Sequence, residues 1–225
     1  MANIDHPATA FTRPVATKRA RISKVANARD TLKDFDAGME TFVLTYGQFS
    51  VWDAVEAILE RTGPADITIS TWTAASADLQ RSSEQLHNDS IRSLRFIVDG
   101  SFVTRQAGYA KLLVDLFGSD SVRTTSSHAK FVTIKNEKWN IAILTSMNLN
   151  ENKRLEYLHI SDDENLCGFL NTLADEIFGE EVAGVGVRNK GGMPELAGLH
   201  ELEIMPANLV SMSRGKVSIG QSKSV

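Results

Sequence analysis

Between residues 36 and 182 the apolar positions change rhythm repeatedly, from every second residue to every third or fourth. A period of two buries one face of a strand, and a period near 3.6 buries one face of a helix. "FVLTYGQ" (42–48) reads as a first strand. In "SVWDAVEAILERTGP" the residues Val51, Ala54, Val55, Ile58 and Leu59 have helical spacing, with Ser50 as N-cap and Gly63-Pro64 as the stop. "ADITISTW" (65–72) alternates as a strand and "SADLQRSSEQLHN" (76–88) as a helix. "LRFIVDG" (94–100) is expected to be a strand ending at an Asp99-Gly100 turn, followed by a helix over 105–118 that Gly118 closes. Strands then follow at 121–125, 128–134, 139–146 and 154–161, with "KNEK" (135–138) as a hairpin turn and an amphipathic helix over 163–179. Helices and strands that alternate and then give way to a hairpin predict an α/β fold, a mixed β-sheet sandwiched between helices.

Outside that span the rhythm fades. Residues 1–35 read as a basic arm and residues 183–225, where Gly, Val, Met and Pro mix without period, as an extended or partner-bound tail. The chain of 225 residues is long enough to bury a full core, so a single domain over 36–182 with a tail at each end is expected. Residues 1–33 carry seven basic side chains against Asp5 and Asp30, a net +5, which leaves −9 on the rest of a chain whose total is −4. A basic arm on an acidic body suits contact with phosphate or with an acidic neighbour. No apolar run approaches the ~18–20 residues of a membrane span. The first residues have no apolar core of a signal peptide. The single cysteine, Cys167, excludes an internal disulfide and reads as a small buried hydrophobe. A cytoplasmic location and no membrane partner follow as expectations.

Candidate chemistry is concentrated in "SSHAKFVTIKNEKWNIAILTSMNLNEN" (126–152). On a strand, residues i and i+2 share a face, so His128 and Lys130 project together. If 129–134 and 139–145 form a hairpin, Ser146 and Asn148 lie beside the start of the strand that carries His128. Glu156, expected at the centre of the next strand, adds a carboxylate, and Asn150 stands as a further lining residue. This set suits phosphoryl transfer. An imidazole attacks phosphorus while a carboxylate orients its other nitrogen, and an ammonium and a carboxamide donate to the non-bridging oxygens as charge builds. No metal-ligand spacing stands out, and no cofactor is implied. His87, at a helix end, and His6 and His200, in the tails, read as structural, as does His159 on the face opposite Glu156. Trp72 ends its strand as packing or as a rim to the pocket.

The stretch resembles the signature of the phospholipase D superfamily, H-x-K-(x)4-D followed by G-S-x-N and a later acidic residue. His128, Lys130, Ser146, Asn148 and Glu156 fall at matching positions, and the order of elements over about 40–180 is similar as well. The chain looks most like the compact, single-motif members found in bacteria and phages. Two positions depart: Lys135 stands at the motif's Asp, and Thr145 at the Gly before Ser. The family's motif Asp is generally structural; tyrosyl-DNA phosphodiesterases lack it and keep His, Lys and Asn.

The resemblance implies a metal-independent, two-step phosphodiesterase that passes through a phosphohistidine on His128. Catalysis would fall to His128, Lys130, Asn148 and Glu156, and substrate binding to Ser146 and Asn150. With one motif per chain it implies a homodimer, in which the second copy's His128 protonates the leaving group. A nuclease is favoured over a lipase because the basic arm suits a polyanion. The alternative is an inactive phospholipase D-like structural or binding module in a larger assembly, such as a phage particle, with the tails ordered on neighbours. A phospholipid head-group transferase is a third reading.

Overall fold

A computed structural model describes residues 18–22, 27–150, 153–180 and 183–185. Its centre is an eight-stranded mixed sheet. The strands are β1 (Lys18–Ile22), β2 (Glu40–Thr45), β3 (Asp66–Thr71), β4 (Ser93–Asp99), β5 (Val122–Thr125), β6 (Phe131–Lys135), β7 (Asn140–Thr145) and β8 (Glu156–Asp162). Their order across the sheet is β1-β2-β8-β7-β6-β3-β4-β5. The pairs β1/β2, β3/β4 and β4/β5 are parallel and the other four are antiparallel. The helices are α1 (Ala28–Leu32), α2 (Val51–Thr62), α3 (Ser76–His87), α4 (Gly100–Arg105), α5 (Ala107–Phe117) and α6 (Glu164–Glu180).

The alternating strand residues divide the core in two. Ile67, Ile69, Phe96, Val98, Val132, Ile134, Ile141, Ile143, Leu158 and Ile160 meet the apolar faces of α1, α2, α3 and α5. Ile97, Phe131 and Ala142 point the other way, against Leu166, Cys167, Leu170, Ala174 and Ile177 of α6. The expected sandwich is therefore present. Local signals act as their chemistry dictates. The Ser50 Oγ accepts from Asp53 N at 3.2 Å and the Asp53 carboxylate accepts from Ser50 N at 2.7 Å, a reciprocal cap that starts α2. Gly63, at φ +69°, ends it by donating to Leu59 O at 2.9 Å.

Three expectations shift. Asp99-Gly100 is not a turn: the Asp99 carboxylate caps α4 by accepting from Ser101 N at 2.9 Å. An Asp at a strand end serves equally well as an N-cap, and local sequence does not distinguish the two. Residues 18–22 and 28–32, which the sequence assigns to the arm, carry β1 and α1, and Ala28, Leu32 and Phe35 lie buried in the core. In the segment read as tail, Ala183 bridges to Arg123 and Gly184 N donates to Val122 O at 2.9 Å, which covers the β5 edge. The expectations for residues 1–17 and 186–225, including His6 and His200, fall outside the described residues.

Candidate active site

One end of the sheet collects the termini of β3, β4, β6, β7 and β8, and with them every candidate residue. The β6–β7 hairpin turns as expected. Asn136 Oδ1 accepts from Lys138 N and Trp139 N, each at 3.0 Å, and Phe131 stands opposite Leu144. His128 and Lys130 lie just before β6 rather than within it. Even so, Thr145 N donates to Lys130 O at 3.2 Å, which continues the ladder and sets the end of β7 beside them. On the other side Ser70 Oγ donates to Ala129 O at 2.9 Å.

The i, i+2 argument for the first pair holds in the structure. Lys130 Nζ is 3.5 Å from His128 Nδ1 and 3.4 Å from His128 O. Both contacts are long for hydrogen bonds, so the ammonium is loosely held. His128 is exposed and Lys130 half-buried. After β7, burial alternates as sharply as in a strand: Met147 and Leu149 are buried, whereas Ser146, Asn148 and Asn150 are half-buried. Leu149 O accepts from Ala75 N at 2.7 Å, which ties this segment to the start of α3. Two apolar anchors thus direct three polar side chains the other way.

Glu156 opens β8 rather than lying at its centre, opposite Thr45. Its carboxylate accepts from the Ser146 hydroxyl, whose oxygen in turn accepts from Tyr157 N at 3.0 Å. The structure thus brings together His128 with Lys130, and Ser146 with Glu156, and joins the two pairs through the Thr145–Lys130 backbone bond. Among the described residues no hydrogen bond runs between Glu156 and His128, nor between Asn148 or Asn150 and the other four. The side-chain oxygens of Asn148 and Asn150 are buried without a hydrogen-bond partner. Two unsatisfied amide acceptors in so small a segment are costly.

Neighbours that the sequence did not single out as a set also converge. The Trp72 ring meets the His128 imidazole with centroids 5.2 Å apart and planes at 53°. The Asp99 carboxylate accepts from Ser127 N at 3.2 Å, fixing the approach to His128. Arg105, at the end of α4, lies over Trp72. Trp72 has a signal in its place at the end of a strand, and Asp99 reads as a turn residue first and a site neighbour second; Arg105, expected to open the 105–118 helix, has none. His159 pairs instead with Glu40 across β2 and β8, away from the site. Among the described residues no three His, Cys, Asp or Glu side chains gather where they could hold a metal ion. No helix there is long and apolar enough to cross a membrane.

No protein-family model and no curated protein matches the sequence. Solved structures similar to the chain include NucT from Helicobacter pylori, at 14% identity over 64% of this chain and 99% of that one, with a TM-score of 0.47. Another is Nuc from Salmonella typhimurium, a phospholipase D family member, at 14% identity over 66% of this chain and 100% of that one, TM-score 0.45. A third is phosphatidylserine synthase from Haemophilus influenzae Rd KW20, at 15% identity over 76% of this chain and 45% of that one, TM-score 0.47.

Proposed function

We propose that the chain is a phosphodiesterase, and specifically a nuclease, in which His128 attacks phosphorus. The observation that carries this reading is the contact of Lys130 Nζ with His128 at an exposed sheet end, next to the Ser146–Glu156 pair. Attack by imidazole requires a free lone pair on the attacking nitrogen and a place for positive charge on the other. In the structure without substrate, Lys130 faces Nδ1 from 3.5 Å. A phosphate draws this loosely held ammonium on to its non-bridging oxygens, which frees the ring and neutralises the charge that builds there. The Asn148 amide donates to the same oxygens. The P–N bond to His128 forms as the P–O bond to the leaving alkoxide breaks; an acid protonates that alkoxide. Water then attacks the phosphohistidine while the conjugate base of that acid takes its proton; the P–N bond breaks, and both the imidazole and the acid are restored.

The acid in the first step is assigned to His128 of a second copy, because each chain carries one His-x-Lys pair. An apolar surface beside the site supports a dimer. Tyr46, Leu155 and Tyr157 are exposed next to Glu156, and Phe42 stacks on Tyr157 with centroids 5.9 Å apart and planes at 14°. They continue the sheet face that α6 covers over β5, β6 and β7 and at Ile97 of β4.

One observation favours the second reading, a binding module of the same fold without turnover. Glu156 is engaged by Ser146 and does not orient His128. The deciding experiment incubates the protein with DNA, RNA and bis(p-nitrophenyl) phosphate in EDTA, beside His128→Ala. Cleavage by the wild type alone, with acid-labile label retained on the protein from a labelled substrate, is expected. No turnover on any substrate, or equal turnover by the variant, removes the nuclease reading.

A further inference from the structure

The Trp72 indole, half-buried at the end of β3, touches two groups: the His128 imidazole, 5.2 Å away between centroids, and the Arg105 guanidinium carbon, 3.6 Å from the ring centroid. These two distances keep the guanidinium within about 9 Å of the imidazole centroid. Arg105 is exposed, yet its guanidinium is oriented by three contacts: the indole face, Ser101 Oγ at 3.2 Å from Nε, and a longer one to Trp72 O at 3.4 Å from Nη2. Ser101 is itself held by the Asp99 carboxylate, the group that also accepts from Ser127 N. Among the described residues no carboxylate pairs with Arg105, and its Nη1 has no hydrogen-bond partner. A long, exposed side chain normally gives up this much freedom only for a partner. The indole face holds the cation flat, leaving the outer edge of a planar fork turned to solvent beside the candidate nucleophile.

We propose that Arg105 binds a second phosphate of a polynucleotide strand, next to the one placed before His128, so that the site selects a chain of phosphodiesters over an isolated one. One sugar links neighbouring phosphates of a strand, and a gap of no more than about 9 Å is the reach of one such link rather than of several. The inference rests on the reading of His128 and Lys130 as the phosphate site. Trp72 touches the groups of both subsites.

The test is binding, which needs no turnover. Fluorescence anisotropy is measured in a His128→Asn background that prevents cleavage, with a labelled single strand of about twelve nucleotides. The second probe is a labelled dinucleotide that carries one phosphodiester. Adding Arg105→Gln is expected to weaken the long strand roughly tenfold, the worth of one charge-assisted contact, and to leave the dinucleotide within about twofold. The slope of log affinity against log salt for the long strand falls by roughly 0.7. Thermal melting confirms that the variant is folded. Equal weakening of both probes, no weakening of either, or no binding of the long strand before substitution overturns the proposal. Discriminating binding without cleavage by the wild-type chain leaves this subsite standing and removes the nuclease reading instead.

Discussion

Replacing Thr145 by Val tests whether the residue that departs from the family motif supports the site. The two side chains have nearly the same volume, so the change removes a hydroxyl and little else. That hydroxyl is 5% exposed at the level of the residue and makes two bonds. It donates to Tyr157 O at 2.6 Å and accepts from Met147 N at 3.0 Å. Tyr157 O keeps a second donor, Ser146 N at 3.3 Å, so its loss is partial. Met147 N lies in a residue that is 4% exposed and has no other acceptor among the described residues, so it becomes a buried orphan. An orphaned buried donor costs about 1–3 kcal/mol, and the weakened carbonyl adds about 0.5 kcal/mol.

A total of about 2–3 kcal/mol lowers the urea midpoint by roughly 1 M, taking a slope of about 2 kcal/mol/M for a domain of this size. Thr145→Ser keeps the hydroxyl and is expected to recover most of the loss. Activity should fall further than stability, because residues 145–147 set the direction of Ser146 and Asn148. The assay is urea unfolding followed by tryptophan fluorescence, paired with turnover of bis(p-nitrophenyl) phosphate at a denaturant-free temperature where all three proteins are folded. A Val variant with an unchanged midpoint, or a Ser variant as damaged as the Val one, refutes the hydrogen-bond account.

Further predictions concern parts of the fold that position the site. Arg81 bridges Asp53 at 2.7 Å, Glu56 at 3.0 Å and Asp78 at 2.6 Å, joining α3 to α2. Burial already holds the Glu56 carboxyl above its usual range despite Arg81. Arg81→Met should cost about 2–3 kcal/mol at pH 7 in urea unfolding, the larger value for a buried pair being discounted for the partial exposure of the guanidinium. Without the cation, which opposes the effect of burial, the Glu56 carboxyl is pushed further up, so the deficit should narrow as pH falls below about 5. A deficit independent of pH would show packing alone at work. Burial pushes the Cys167 thiol up to about 11. The unfolded thiol, near 8.5, ionises first, so stability relative to Cys167→Ala should drop by about 2 kcal/mol between pH 7.5 and pH 10. The thiol should also resist modification at pH 8 until urea is added; prompt labelling would contradict its burial. Tyr157→Glu places a charge on the exposed aromatic patch and is expected to shift a dimer to monomer in sedimentation velocity and to remove the concentration dependence of the melting temperature. A dimer that persists would place the interface elsewhere.

The sheet and most helices were legible because their signals are local. Ser50 with Asp53, Gly63, Gly118 and the Asn136 turn act within four residues, and the alternation in β3, β6 and β7 follows from burial on two faces. The proximity of His128 and Lys130 was legible from chain-local geometry, and the hairpin placed Ser146 at the end of β7. What was hidden depends on strand order. β3 lies between β4 and β6, which brings Trp72, Asp99 and Arg105 to the approach of His128 from positions 23–56 residues earlier. The same blindness misread the arm. Lys18–Ile22 has little apolar rhythm, and its pairing with β2 is a matter of backbone hydrogen bonds that no periodicity announces.

Strand order also changes what the two departures from the motif mean. Lys135 is the last residue of β6, opposite Asp66 and Asn140, and exposed. It sits at the far end of a strand whose beginning adjoins the His–Lys pair, and five residues of strand rise about 16 Å from Lys130. At that distance, on an exposed side chain, its charge is screened by solvent and salt and has no direct part in phosphate chemistry. Thr145 stands at the right end of the sheet, but its hydroxyl is turned to Tyr157 O and Met147 N rather than outward. One departure is therefore remote from the candidate site, and the other has become part of its frame. Lys135 is thus remote from the His128–Lys130 pair and the Thr145 hydroxyl is turned inward, so the substitutions themselves give no ground for reading the chain as inactive. The sharper test of activity is Glu156, whose carboxylate accepts from the Ser146 hydroxyl and, among the described residues, makes no hydrogen bond to His128.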